Sequence, residues 1–407
     1  MKNFKIAIVG MAFSLIAFSC SNDELVPEEQ NVVSLETPII NKSLITDENV
    51  LFEVLGLNAN QGTNNLNHVG NVYTISNGAG GNEVIVFNSF ADGSIAESGR
   101  YSTGGTGTDT GLGNQGALAL SASGRLLFTV NPGSNDFSCF YVQSNGDLVL
   151  LDSISSGGET PISVTTSRNL IYVLNAGGDG NISGFGFNLQ GQLTAISNST
   201  RPLSTNASGP AQIGFSGFGK ALVVTEKATN TISSYNVNPD GSPGSINTFA
   251  SAGVTPFGFS FGRRDVFYVS EAAGGAANAS TVSAYKVDNS GNVSLVSGPF
   301  ATNGSAACWV VATRNGRDLF ATNTGGGDIS SIKVDFGDQL SLSNNGIATP
   351  TEAGPLDAAL DRRSRYLYVL SGGSDGIVSY SIGANGQLTQ IDLDLGLPDR
   401  ASGLVTR

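Results

Sequence analysis

The chain of 407 residues is poor in the side chains that build most enzyme centres. It has one histidine, three cysteines, one tryptophan and two methionines, and only 13% of it is Asp, Glu, Lys or Arg. A lone histidine, His68, excludes the imidazole clusters of zinc sites, and neither HExxH nor a Cys/His ligand spacing occurs. Three cysteines cannot build a disulfide framework: Cys20 stands near the N-terminus, Cys139 reads as part of an outer strand and Cys308 as part of an inner one, the latter two as buried free thiols. Cations are few, 20 against 33 acids, so the net charge is −13. Such a surface repels phosphate backbones and anionic headgroups, which argues against nucleic acid as a partner. The one long apolar run, residues 6–17, is too short for a convincing membrane span.

Glycine is abundant, with 54 residues, and its placement is regular. Turn glycines recur at Gly93, Gly146, Gly191, Gly241, Gly291, Gly337 and Gly386, at spacings of 45 to 53 residues, each after a short alternating strand such as Ile232-Ser233-Ser234-Tyr235-Asn236-Val237. A period of this length made of short strands marks a β-propeller of four-stranded antiparallel blades, and seven repeats mean seven blades. Inner strands open at Thr160-Pro161, Gly209-Pro210, Thr255-Pro256 and Gly354-Pro355, where proline sacrifices no ladder hydrogen bond. Gly116-Ala117 and Ser305-Ala306 take the same place in two further blades. The second strands, such as 126–130 and 221–225, are near-continuous apolar runs, as strands covered on both faces are. The first blade, opening at Val72, has no inner strand before it. The chain ends on Ala401-Ser402-Gly403-Leu404-Val405-Thr406, an inner-strand sequence with nothing after it. The C-terminal strand is therefore expected to pair into the first blade and close the ring.

Lys2 and Lys5 precede the apolar run, and Ala17-Phe18-Ser19-Cys20 follows, as in a signal peptide. The last residues resemble the lipobox of bacterial lipoproteins, which implies cleavage before Cys20 and lipidation of its thiol. Ser21-Asn22-Asp23-Glu24 resembles the surface-export tag of Bacteroidetes lipoproteins. The organisation expected is a signal peptide over 1–19, a lipidated cysteine with a flexible acidic tether over 20–48, and the propeller over 49–407. Localisation at the outer membrane or cell surface, with membrane contact through the lipid alone, follows from that resemblance.

The phrases Gly219-Lys220-Ala221-Leu222-Val223-Val224-Thr225-Glu226 and Ile232-Ser233-Ser234-Tyr235-Asn236-Val237 resemble the seven-bladed lactonases, the 6-phosphogluconolactonase-like and muconate-lactonising proteins, over about residues 69–407. The resemblance implies a propeller that needs no cofactor and hydrolyses a cyclic ester. Active members carry a histidine two residues past the inner-strand proline. Here those positions hold Ala119, Ser163, Gln212, Gly258, Cys308 and Asp357.

The ends of the second strands and the starts of the inner strands share one face, the mouth of the central channel. Asn131, Asn175, Glu226, Glu271 and Asn323 end second strands and read as a polar ring suited to a neutral polyhydroxylated ligand. Gln212, Lys227 and Asp357 add polar groups, and Phe257 and Trp309 offer faces for a sugar ring. Glu226 and Glu271, in neighbouring blades, are candidates for a catalytic carboxylate pair, with His68 as a base. Glutamate is depleted in strands, so two at one register need a reason. Gly111-Leu112-Gly113-Asn114-Gln115-Gly116 matches a dinucleotide fingerprint but leads into a strand, and reads instead as part of a long loop over the mouth. No metal site is indicated; Asp179, Asp328 and Asp375 sit in Gly-rich loops that fit turn formation better than calcium. Two functions remain open: a tethered propeller that binds a carbohydrate or a surface protein, and a lactone hydrolase.

Overall fold

The computed structural model describes residues 68–350 and 354–407. Cys20, the signal peptide and the 20–48 tether lie outside the described residues. Seven antiparallel sheets surround a channel, six of them four-stranded. In the third blade the outer strand is split into Leu193–Ala195 and Arg201–Pro202, both paired with Asn181–Phe187. The fold is a seven-bladed propeller.

Ring closure follows the expected route. Ser402–Thr406 is the innermost strand of the first blade and pairs with His68–Ile75, with Val72 opposite Thr406 and Ile75 opposite Ser402. The Arg407 amide donates to the Asn71 carbonyl at 2.9 Å. His68 opens this strand instead of preceding the blade, so the first blade begins four residues before Val72. Cys139 lies in the third strand of its blade, Asp136–Val142, and not in an outer one, because the outer strand starts only after the Gly146 turn. It is buried and Cys308 half-buried, and neither takes part in a disulfide among the described residues.

The second strands carry the core. Leu126–Asn131, Ala221–Glu226 and Val266–Glu271 are buried at every position. Their apolar side chains alternate between the two neighbouring blades; Leu127 and Phe128, for example, join Tyr73 of the first blade and Ile171 of the third in one cluster.

A repeated device starts the inner strands. The residue before the strand has a positive φ, as at Gly116 (82°), Thr160 (51°), Gly209 (57°), Thr255 (61°), Ala306 (52°) and Gly354 (71°). In five of these strands a bulge follows within the first few residues, at Pro161/Ser163, Pro210/Gln212, Pro256/Phe259, Ala307/Trp309 and Pro355/Ala358. A bulge bends its strand and re-aims side chains. It does so at the level of Ser163, Gln212, Gly258, Cys308 and Asp357, the ring around the axis.

Candidate functional site

The second-strand termini point into the blades and not into the mouth. Asn131, Asn175, Glu226, Glu271 and Asn323 are completely buried. Each meets the first or third residue of the next strand, or both. Asn131 Nδ2 donates to Asp136 Oδ1 (2.5 Å) and Ser138 Oγ (2.8 Å), and Asn323 Nδ2 to Asp328 Oδ1 (2.5 Å) and Ser330 Oγ (2.7 Å). Asn175 Nδ2 reaches Asn181 Oδ1 at 2.9 Å and the Ser156 carbonyl at 3.2 Å. Glu226 accepts from the Ser204 amide (3.1 Å) and hydroxyl, from Thr229 Oγ1 (3.2 Å) and from Ser233 Oγ (2.6 Å). Glu271 accepts from Ser251 Oγ (3.1 Å), the Gly253 amide (3.0 Å), Thr281 Oγ1 (2.5 Å), Ser283 Oγ (2.9 Å) and the Tyr285 hydroxyl (2.9 Å). Both carboxylates are thus saturated by donors that latch the loop before each inner strand to its blade. The signal for this role was the serine at the third position of the third strand, at Ser138, Ser183, Ser233, Ser283 and Ser330.

The mouth itself is plugged. Residues 111–116 leave the first blade and descend into the channel, where Asn114 and Gln115 are buried. The Gln115 amide donates to Ala211 O at 3.1 Å and its Nε2 to Val310 O at 3.2 Å. Its own carbonyl accepts from Ser163 Oγ at 2.8 Å. Asn114 donates through Nδ2 to Ile162 O, and accepts from Trp309 Nε1 at 2.7 Å and Ser402 Oγ at 3.1 Å. One loop therefore bonds the inner strands of blades one, three, four and six. Gly258 is required at its level, because a Cβ there would strike the Gln115 carboxamide.

Three of the expected ligand-binding side chains serve this plug. Trp309 holds Asn114. The Phe257 ring lies 5.1 Å from the Trp309 ring, and Lys227 Nζ sits 4.7 Å above Phe257 while donating to the Gly113 carbonyl. Burial pushes the Lys227 pKa down from 10.5 to about 8. His68 lies at the opposite end of the ring: it starts a strand whose other end, Ile75, faces Ser402 at the mouth. The structure does not bring it together with Glu226 and Glu271.

Gln212 and Asp357 line one chamber below the plug. This chamber, of about 300 Å³, is lined by Gln115, Gln212, Thr165 and Ser260, by Phe215, Phe259 and Phe261, and by Asp357, the one charged residue among the described residues of its wall. Asp357 is buried; Oδ1 accepts from the Ala358 amide at 2.8 Å and Oδ2 has no hydrogen-bond partner. Burial pushes its pKa up from 3.8 to about 7, against the weaker pull of the Ala358, Gly116 and Leu404 amides. No group of three or more His, Cys, Asp or Glu side chains among the described residues could hold a metal ion.

This seven-bladed fold is similar to that of solved propellers described as lactonases. It aligns with a candidate 6-phosphogluconolactonase of Bacteroides fragilis at a TM-score of 0.65 and 19% identity, covering 83% of this chain and 98% of that one. A candidate 6-phosphogluconolactonase of Bacteroides uniformis aligns at 0.67 and 18%, covering 84% and 100%. The periplasmic gluconolactonase of Pseudomonas aeruginosa aligns at 0.65 and 15%, covering 83% and 98%. At these identities the likeness is one of fold. No family model matches the sequence, and no curated protein matches it either.

Proposed function

We propose that this chain is a ligand-binding propeller whose channel chamber takes a hydroxyl-rich, carbohydrate-like group. The observation that carries the reading is the fate of the two glutamates: four and five hydrogen bonds inside the blades leave neither available as an acid or base. The chamber instead offers carboxamides, hydroxyls and phenyl rings, which match sugar hydroxyls and sugar faces. In the same reading the protein is held at the cell envelope through a lipidated Cys20, and Cys20→Ser releases it into the soluble fraction.

A second reading, lactone hydrolysis, is favoured by one group, Asp357. A carboxyl with a pKa about 7 and a free oxygen in a chamber can act as general base toward water. The structures aligned above include a gluconolactonase, which keeps this chemistry in view. One experiment separates the two: assay the protein and its Asp357→Asn variant against a panel of lactones, beside a glycan array. Turnover abolished by the substitution establishes the hydrolase and ends the binding-only reading. Glycan binding without turnover supports the binding propeller.

A further inference from the structure

The cations of this acidic chain are gathered in one place. Eleven of its 20 Lys and Arg residues lie in positions that the topology makes equivalent: the turns from inner to second strand in blades two to seven, and the end of the closing strand. One cation stands in each of blades two, three and four, a pair in each of blades five and six, three in blade seven (Arg362-Arg363-Ser364-Arg365), and Arg407 ends the closing strand. The same turns contain two acids, Asp265 and Asp361, and Asp361 is engaged locally by the Arg363, Arg365 and Tyr366 amides.

Contacts along these turns join four pairs of neighbouring blades into a rim. The Arg314 amide donates to Ser364 Oγ of the next blade at 2.9 Å, and the Arg407 guanidinium donates to Gln143 O of the second blade. Gly316 lies against the Arg263 side chain, and Gly219 against Ser167. The rim surrounds the base of the channel, because the inner strands run down into it: Thr165, Phe215, Phe261 and Val405 line the chamber within a few residues of Arg168, Lys220, Arg263 and Arg407. Two exposed aromatics belong to this face, Phe218 beside Lys220, and Phe336 with the Arg317 guanidinium 4.6 Å above its ring.

An opening rimmed by an excess of positive charge, eleven cations against Asp265 and Asp361 with Arg264 paired to Asp338 and Arg365 to Asp361, focuses a net positive field on the entrance. Arginine adds a planar fork that matches carboxylate and sulfate oxygens. A flat lipid surface cannot enter the chamber behind the rim, whereas the end of a saccharide chain can. The one carboxyl in that chamber lies deeper than the rim and is largely protonated below pH 7, so it does not oppose an anion there. We propose that the basal rim and chamber form a site for the end of an anionic polysaccharide, its carboxylate or sulfate groups held by the rim arginines and its terminal sugar in the chamber. This rests on the carbohydrate reading above and adds charge and direction to it.

The test is calorimetric titration of the full chain with an oligogalacturonate, with a neutral malto-oligosaccharide of equal length and with phosphatidylglycerol vesicles, at low and high salt. It is repeated with an Arg168→Glu, Lys220→Glu, Arg362→Glu, Arg363→Glu variant, and with the milder Arg362→Ser, Arg363→Ser pair in case the first does not fold. The oligogalacturonate alone binds, salt weakens it, and the charge-reversal variant binds at least about tenfold more weakly at unchanged Tm. Equal binding of the neutral oligosaccharide by wild type and variant overturns the anionic site and leaves the carbohydrate reading standing. Binding of neither overturns both. Binding only to phosphatidylglycerol vesicles overturns the proposal in favour of a membrane-facing rim.

Discussion

Replacing Asp357 with asparagine removes a pH dependence that the fold itself creates. The folded carboxyl has a pKa about 7 where an unfolded one has 3.8. The folded state therefore binds the proton more tightly, and the stability that protonation supports is lost as pH rises through that window. At 1.36 kcal/mol per pH unit the whole displacement is worth roughly 4 kcal/mol, nearly all of it felt above pH 7. Between pH 5 and pH 8 the wild type should lose about 2.5 kcal/mol relative to the variant. Asparagine keeps the acceptor that holds the Ala358 amide. Its new amide group, if it finds no partner, costs about 1–3 kcal/mol, and that cost is the same at every pH. The diagnostic quantity is thus the slope of the difference, not its offset. Urea unfolding followed through Trp309, the chain's single tryptophan, supplies it at a series of pH values. Lys227, titrating at about 8, is common to both proteins and cancels. Parallel stability curves for wild type and variant would refute the argument, because they would mean that Asp357 is already ionised near pH 4.

Glu271→Gln turns one acceptor oxygen into a donor facing hydroxyls and an amide, and should cost about 2–3 kcal/mol by urea unfolding while leaving ligand binding per folded molecule unchanged. A binding defect without a stability defect would return Glu271 to the site. Deleting residues 400–407 removes the strand that closes the ring and should lower Tm by more than about 10 °C; an unchanged Tm contradicts closure by this strand. Gly258→Ala drives a methyl into Gln115 and should cost about 1–3 kcal/mol by the same assay. Adding Gln115→Ala should recover part of that loss, and additivity of the two would place the collision elsewhere.

The blade count, the inner-strand starts and the closing strand were legible because each has a local cause. A turn glycine, a strand-initial proline and an unpaired terminal strand leave their mark on adjacent residues. The fate of Glu226 and Glu271 was not legible, since register identifies the end of a strand but not which way its last side chain turns. The serine two residues into five of the seven third strands carried that information, and it is visible only once the hydrogen bonds are known. The plug was half legible: the glycines of 111–116 indicated a loop at the mouth, while its descent depends on Ile162, Ala211, Trp309, Val310 and Ser402, which are remote in sequence. The basal rim was hidden by averaging. A net charge of −13 describes the whole chain, and the propeller's symmetry collects groups of one to three cations spaced about fifty residues apart.

The plug also decides what kind of vessel the ring is. Closed above by the buried Asn114 and Gln115, with its lining continuing toward the basal turns at Thr165, Phe215, Phe261 and Val405, it has the form of a blind cup and not a pipe. Among the described residues the plug bars passage along the axis, so on the proposed reading a ligand that enters must leave by the same door, and arrival and departure compete for one opening. A long polymer can present only a terminus to such a cup. On the proposed reading, the number of protein molecules such a polymer seats would count its ends and be indifferent to its length.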